Sequence, residues 1–95
     1  MPYIKEEMRQ WWDTYLVTMM EGLEHRDLEK DKMTAGELNY IISSIALKFV
    51  RVKGESYQNY NDMIGALECA KTELYRRFIA PYEDLKVKEN GDLDP

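Results

Sequence analysis

The stretch from Glu68 to Asp84, ECAKTELYRRFIAPYED, concentrates side chains that can bind an anionic ligand. Arginine offers a planar fork of donors for phosphate, and tyrosine rings offer flat stacking surfaces. On a helix, however, Glu73 lies three and four residues before Arg76 and Arg77, so these groups can also neutralise one another on an exposed face. The residues alone leave both interpretations open: a ligand-binding surface, or a salt-bridged helix face.

A wider set of such side chains makes up the predicted binding site. The basic side chains would face phosphate, the tyrosines would stack on a base, and asparagine would offer a donor and an acceptor to a base edge. The same groups would also suit a polar interface between subunits. The predicted ligand-binding residues are Tyr40, Tyr57, Asn61, Lys71, Arg76, Arg77 and Tyr82.

Catalytic, cofactor and metal sites are not predicted. The one histidine, His25, falls in a charged segment, and the one cysteine, Cys69, has apolar neighbours, so a nucleophile with a base and a zinc site both lack residues. Glu21 and Glu24 share a helix face and could hold Mg²⁺, as in the all-helical nucleotide pyrophosphohydrolases. Because the next helix lacks the second acidic pair of those enzymes, a non-enzymatic protein is favoured and a magnesium-dependent hydrolase is kept as an alternative.

Length and charge narrow the class of protein further. A chain of 95 residues predicts one helical domain, 1–95, with a small core. The formal charge of −5 argues against general nucleic-acid binding, which depends on basic residues that release counterions. The sequence shows no apolar run near the roughly 20 residues that cross a bilayer and no secretory leader, so a cytoplasmic protein without membrane contact is expected.

Apolar residues three and four apart predict the first two helices. Helix 1 carries such a stripe from Met8 to Leu23, and the charged segment 24–33 is predicted to be a loop or a frayed extension of the helix. Thr34 and Glu37 form a capping-box pattern, which predicts that helix 2 begins at Thr34. This helix is apolar around most of its circumference, and we expect it to be the most buried element.

The third helix and the tail complete the predicted fold. Helix 3 is expected to run from about Tyr60 to Ile79, after a stop at Gly54 and a cap from Ser56 or Asn59. Pro81 predicts a kink near Ala80, followed by a tail at 80–95 that forms either a short helix ended by Gly91 or a turn at Asn90 and Gly91. The predicted fold class is an all-α small bundle of three main helices with a kinked tail. Since small bundles often complete their burial by self-association, we expect a homo-oligomer.

Two segments also resemble a family of small, largely uncharacterised proteins of prokaryotes and their phages. They are GELNYIIS, 36–43, and SYQNYNDMIGALECAKTELYRRFIAPYEDLKVKENGDL, 56–93, which cover roughly two-thirds of the chain. The resemblance implies a compact helical protein of phage or mobile-element origin that would act in the host cytoplasm. By analogy with other small phage proteins, the leading hypothesis is sequestration of a nucleotide-like host signal, and the alternative is docking on a host protein through Trp11, Trp12 and a Met-rich face.

Overall fold

The fold is entirely helical over the residues that the computed structural model describes, 4–28 and 32–93. The all-α prediction with three main helices is therefore confirmed. The chain divides after Lys48 into two compact units, here called the N-terminal unit and the C-terminal unit. The elements in chain order are α1 (Glu6–Asp27), α2 (Ala35–Lys53), α3 (Tyr57–Leu74), a π-helical turn (Tyr75–Ile79) and α4 (Ala80–Asn90).

The start of α2 is fixed by the predicted capping box. The Oγ1 of Thr34 accepts a hydrogen bond from the Glu37 amide at 3.2 Å, and the Glu37 carboxylate accepts one from the Thr34 amide at 2.7 Å. The same carboxylate forms an ion pair with Arg26 in the last turn of α1. Because α1 continues to Asp27, the first residues of the predicted 24–33 loop are helical, whereas 29–31 lie outside the described residues.

A short connection joins α2 to α3. Gly54 has a positive φ of 107°, which glycine adopts at little cost, and its amide donates to the Val50 carbonyl at 2.8 Å. Ser56 then caps α3, since its hydroxyl accepts from the Asn59 amide at 3.0 Å, while the Asn59 side chain donates to the Gly54 carbonyl at 2.7 Å. The predicted stop at Gly54 is confirmed, and α3 begins three residues earlier than expected because Ser56, not Asn59, is the N-cap.

The chain passes from α3 into α4 through the π-helical turn. The Ala80 amide donates to the Tyr75 carbonyl, five residues back, where an α-helix would use a partner four residues back. Pro81, which follows, has no amide donor and crowds the carbonyl of the preceding turn, so a widened turn accommodates its ring. Downstream, α4 ends at Gly91, whose φ is 85°, and the helical alternative for the tail is the one observed.

Most large apolar side chains are exposed. Val50 on α2 is buried, with 1% of its surface accessible, and it is the sole buried hydrophobic among the described residues. Other residues of the α2 stripe, such as Leu38 and Ile45, remain exposed. The apolar faces that the periodicity predicts therefore exist, but their atoms remain accessible to solvent or to a partner.

Candidate functional site

An open depression of the surface, here called the cavity, lies along the C-terminal part of α3. Its volume is about 350 Å³, within the size range of small-molecule sites. Two of the predicted ligand-binding residues, Lys71 and Arg76, line it together. The complete lining consists of Glu68, Lys71, Thr72, Tyr75, Arg76 and Ala80.

The basic side chains at this cavity are held by carboxylates of the same helix. Arg76 Nη2 lies 2.7 Å from Glu73 Oε1, and Lys71 Nζ lies 3.6 Å from Glu68 Oε1. Glu73 is the most enclosed of these acids, since only 15% of its side chain is accessible. The salt-bridged helix face that the sequence allows is thus present, and it fixes the Arg76 guanidinium at the cavity.

Arg77 differs from Arg76 in its surroundings. Its Nε lies 3.8 Å from the same Glu73 oxygen, and its guanidinium lies 5.5 Å from the centre of the Phe78 ring. Arg77 does not line the cavity. The adjacent arginines of the YRR sequence therefore occupy chemically different places, which makes Arg77 a natural comparison for Arg76.

Tyr75 connects the π-helical turn to α4. Its hydroxyl donates to the Glu83 carboxylate, at 3.1 Å from one oxygen and 3.3 Å from the other. In a regular α-helix, residues eight apart point about 80° away from each other. The π turn adds one residue, so these two side chains take the spacing of residues seven apart and lie on one face.

This contact changes the acidity of the phenol. The hydrogen bond to Glu83, together with the negative charge of that carboxylate, raises the pKa of Tyr75 above its ordinary value of 10.0. Tyr75 therefore stays protonated and able to donate throughout the physiological pH range. Its ring remains half exposed at the rim of the cavity, where a flat ligand could stack on it.

The other predicted site residues lie farther along the chain. Tyr57 and Asn61 occupy the first turns of α3, and Asn61 precedes Arg76 by roughly 22 Å along the helix axis. Tyr82 lies in α4, where the Lys86 ammonium is 5.4 Å from its ring centre. Tyr40 is exposed on the part of α2 that belongs to the N-terminal unit. The cavity thus brings together Lys71 and Arg76 out of the seven predicted residues.

Four cavity residues were not among the predicted ligands, namely Glu68, Thr72, Tyr75 and Ala80. Thr72 shares a helix face with Glu68 and Arg76 by its spacing, and this periodicity was a sufficient signal to include it. Tyr75 carried no comparable signal, because its contact with Glu83 depends on the extra residue of the π turn. Its neighbour in sequence, Arg76, was identified from residue type and helical spacing together.

A second surface of interest lies on α1 in the N-terminal unit. Trp11 packs edge-on against Trp12 with ring centres 4.7 Å apart, and it lies 5.1 Å from the Tyr15 ring. About half of each of these three side chains is accessible. Trp11 also lines an apolar depression of about 410 Å³ together with Met8. Clustered exposed aromatic rings of this kind are typical of protein interfaces.

The described part of the chain contains no group of metal ligands and no helix suited to a bilayer. In 4–28 and 32–93, no three side chains of the His, Cys, Asp and Glu types are grouped so as to hold a metal ion. The helices within the same ranges are each too short or too polar to span a bilayer.

Comparison with known proteins identifies a family. The family model described as "Domain of unknown function (DUF6899)" matches residues 1–93, nearly the whole chain, and the chain belongs to this family. No curated protein and no solved structure shows significant similarity to it.

Proposed function

We propose that this member of the DUF6899 family is a non-enzymatic binding protein that holds a phosphate-bearing, nucleotide-like ligand at the cavity of α3. One observation carries the proposal: Lys71 and Arg76 line the same cavity, together with Thr72 and Tyr75. Two cations and the Thr72 hydroxyl suit a phosphate group, and the Tyr75 ring, whose hydroxyl already donates to Glu83, suits a base.

The ion pair between Arg76 and Glu73 gives this site a specific mode of binding. A ligand phosphate would accept hydrogen bonds from the same guanidinium that now donates to Glu73 at 2.7 Å. The ligand must therefore compete with an internal carboxylate. This competition favours a ligand that carries more negative charge than a carboxylate. Removal of the Glu73 charge should therefore strengthen ligand binding, whereas removal of Arg76 should weaken it.

The proposed site is narrower than the predicted set of seven residues. At 1.5 Å per residue, Asn61 is roughly 22 Å from Arg76, which is longer than a mononucleotide. A single nucleotide bound at the cavity would contact Lys71, Tyr75 and Arg76 and leave Tyr57 and Asn61 free for other roles. If the gene is carried by a phage, as the sequence resemblance implies, the biological role would be to withhold a host nucleotide signal.

Isothermal titration calorimetry with ADP, and separately with inorganic phosphate, tests this site. Arg76→Ala should weaken ADP binding about tenfold or more, because a charge-assisted hydrogen bond is lost. Arg77→Ala is the matched control and should change the affinity little, while Glu73→Gln should strengthen binding. Equal affinities for the wild type and Arg76→Ala would refute the site. Hydrolysis of ADP with Mg²⁺ present would instead support the alternative of a magnesium-dependent enzyme.

A second candidate function is docking on a host protein through α1. It is favoured by the exposed cluster of Trp11, Trp12 and Tyr15, whose rings lie within about 5 to 6 Å of one another. A pull-down from host lysate should capture a partner with the wild type but not with a Trp11→Ala, Trp12→Ala double variant. Tyr57→Ala, which removes another exposed aromatic ring on the other unit, serves as the control. Identical captures by all three proteins would exclude the α1 surface.

A further inference from the structure

The C-terminal unit presents one long helical surface that its own elements leave uncovered. From Tyr57 to Asn90 the helix is continuous through the π turn, and an apolar stripe follows it. Beyond the first turns, each residue of the stripe has between 37% and 60% of its surface accessible. These residues are Leu67, Leu74, Phe78, Tyr82 and Leu85. Such a stripe on a helix is normally buried against another element, since helix stability in water depends mostly on that packing.

The π turn keeps this stripe on one face. Before the turn the apolar steps alternate between three and four residues, but Leu74, Phe78 and Tyr82 follow one another in consecutive steps of four. In an uninterrupted α-helix, repeated steps of four would rotate the stripe by about 40° each. The extra residue of the π turn offsets this rotation. The stripe therefore stays on one face of α3 and α4, and this aligned stripe is here called the seam.

The length of the seam points to its partner. The continuous helix from Tyr57 to Asn90 is about 50 Å long, whereas α1 and α2 are about 33 Å and 28 Å long at 1.5 Å per residue. Neither of these helices can match the seam from end to end. A second copy of α3 and α4 has the same length and the same stripe, so it can cover the seam completely.

The charges select the relative direction of the two copies. The first half of the helix, 57–73, carries three carboxylates and one lysine, and the second half, 74–90, carries four basic side chains and three carboxylates. An antiparallel arrangement places the acidic half of one copy beside the basic half of the other, so opposite charges attract. A parallel arrangement would place the two acidic halves together and the two basic halves together.

We propose that two copies of this chain pair antiparallel through the stripe of α3 and α4, with the two-fold axis near Leu74. Leu74 is close to the midpoint of the continuous helix, so in a two-fold interface it meets its own counterpart. The test of this interface does not depend on ligand binding.

Sedimentation equilibrium gives the first test. The wild type should be a dimer at tens of micromolar protein, and Leu74→Glu should be a monomer, because it places two carboxylates together at the axis. Val87→Glu is the matched control, since Val87 is an accessible apolar residue on the same helix but off the stripe; it should remain a dimer. A monomeric wild type would overturn the proposal, as would dissociation by both variants alike.

Cross-linking gives a second test that does not require a variant to lose affinity. In a Cys69→Ser background, which removes the only native thiol, Leu74→Cys should form a disulfide-linked dimer under mild oxidation. Val87→Cys in the same background should stay monomeric on a non-reducing gel. Equal cross-linking of the two variants, or cross-linking of the Val87 variant alone, would refute the antiparallel pairing about Leu74.

Discussion

The cap at Ser56 offers a quantitative test of how α3 begins. Its hydroxyl accepts from the Asn59 amide at 3.0 Å, and Ser56→Ala removes this acceptor while leaving the backbone unchanged. Loss of a serine N-cap costs about 0.5 to 2 kcal/mol. The Asn59 side chain still binds the Gly54 carbonyl in the variant, so the connection keeps this hydrogen bond and the one from the Gly54 amide to the Val50 carbonyl. We therefore expect a loss near the middle of that range, about 1 kcal/mol.

Urea unfolding followed by circular dichroism at 222 nm measures this loss. A destabilisation of about 1 kcal/mol corresponds to a fall of roughly 4 to 8 °C in Tm for a domain of this size, so a thermal scan checks the same number. Protein concentration must be equal in all samples, because association shifts the apparent stability. Ser56→Asp retains a capping oxygen and should restore most of the loss.

The control is the same substitution at a serine that caps nothing. Ser43 lies within α2, and its hydroxyl donates to the Asn39 side chain on an exposed face. Since alanine has the higher helix propensity, Ser43→Ala should change stability by less than about 0.5 kcal/mol. If Ser56→Ala and Ser43→Ala have the same urea midpoint, or Ser56→Asp fails to recover it, then Ser56 does not cap α3.

Two further predictions concern pH. The pKa of Glu37 is lowered from its ordinary value of 4.5, mainly by the hydrogen bond from Arg26 and next by the one from the Thr34 amide. The contact therefore stabilises the fold above pH 4.5, and this stabilisation is lost as the pH falls through the lowered pKa. Glu37→Gln should therefore flatten the dependence of the urea midpoint on pH below about 5, and an unchanged acid dependence would contradict this. The pH dependence of the Tyr75 contact has the opposite direction, because Glu83 raises the pKa of this phenol. The contact stabilises the fold below pH 10.0, and this stabilisation is lost as the pH rises through the raised pKa. In a spectrophotometric titration at 295 nm, Tyr75→Phe should remove one late-titrating phenol; loss of an early one would be inconsistent with the bond to Glu83.

Local signals in the sequence predicted the helix boundaries well. The pairing of Thr34 with Glu37, the positive φ at Gly54 and the helix end at Gly91 each depend on a few neighbouring residues, so residue type and spacing contain the necessary information. The position of the α3 start was three residues off because Ser56 and Asn59 are both good caps. Choosing between them requires the geometry of the preceding turn, which the sequence does not specify.

The candidate site was less accessible to sequence reasoning. The charge pairs around Glu73 follow from helical spacing, and the structure contains them. Tyr40, by contrast, lies outside the C-terminal unit, and Asn61 is roughly four turns of helix away from Arg76. Their residue types suit a nucleotide, but residue types do not predict whether the side chains lie close together in the folded chain.

The π turn explains why the sequence was hardest to interpret between Tyr75 and Pro81. Every argument from spacing there assumed 3.6 residues per turn, so one added residue displaced all downstream side chains by about 100° from their expected directions. That one change aligns Tyr75 with Glu83 and keeps Leu74, Phe78 and Tyr82 in one seam. Pro81 accounts for the position of this turn, because its ring crowds the carbonyl of the preceding turn and a wider turn accommodates it. The polar face gains a tyrosine that Glu83 holds beside Arg76, and the apolar face keeps its stripe aligned for the proposed second copy.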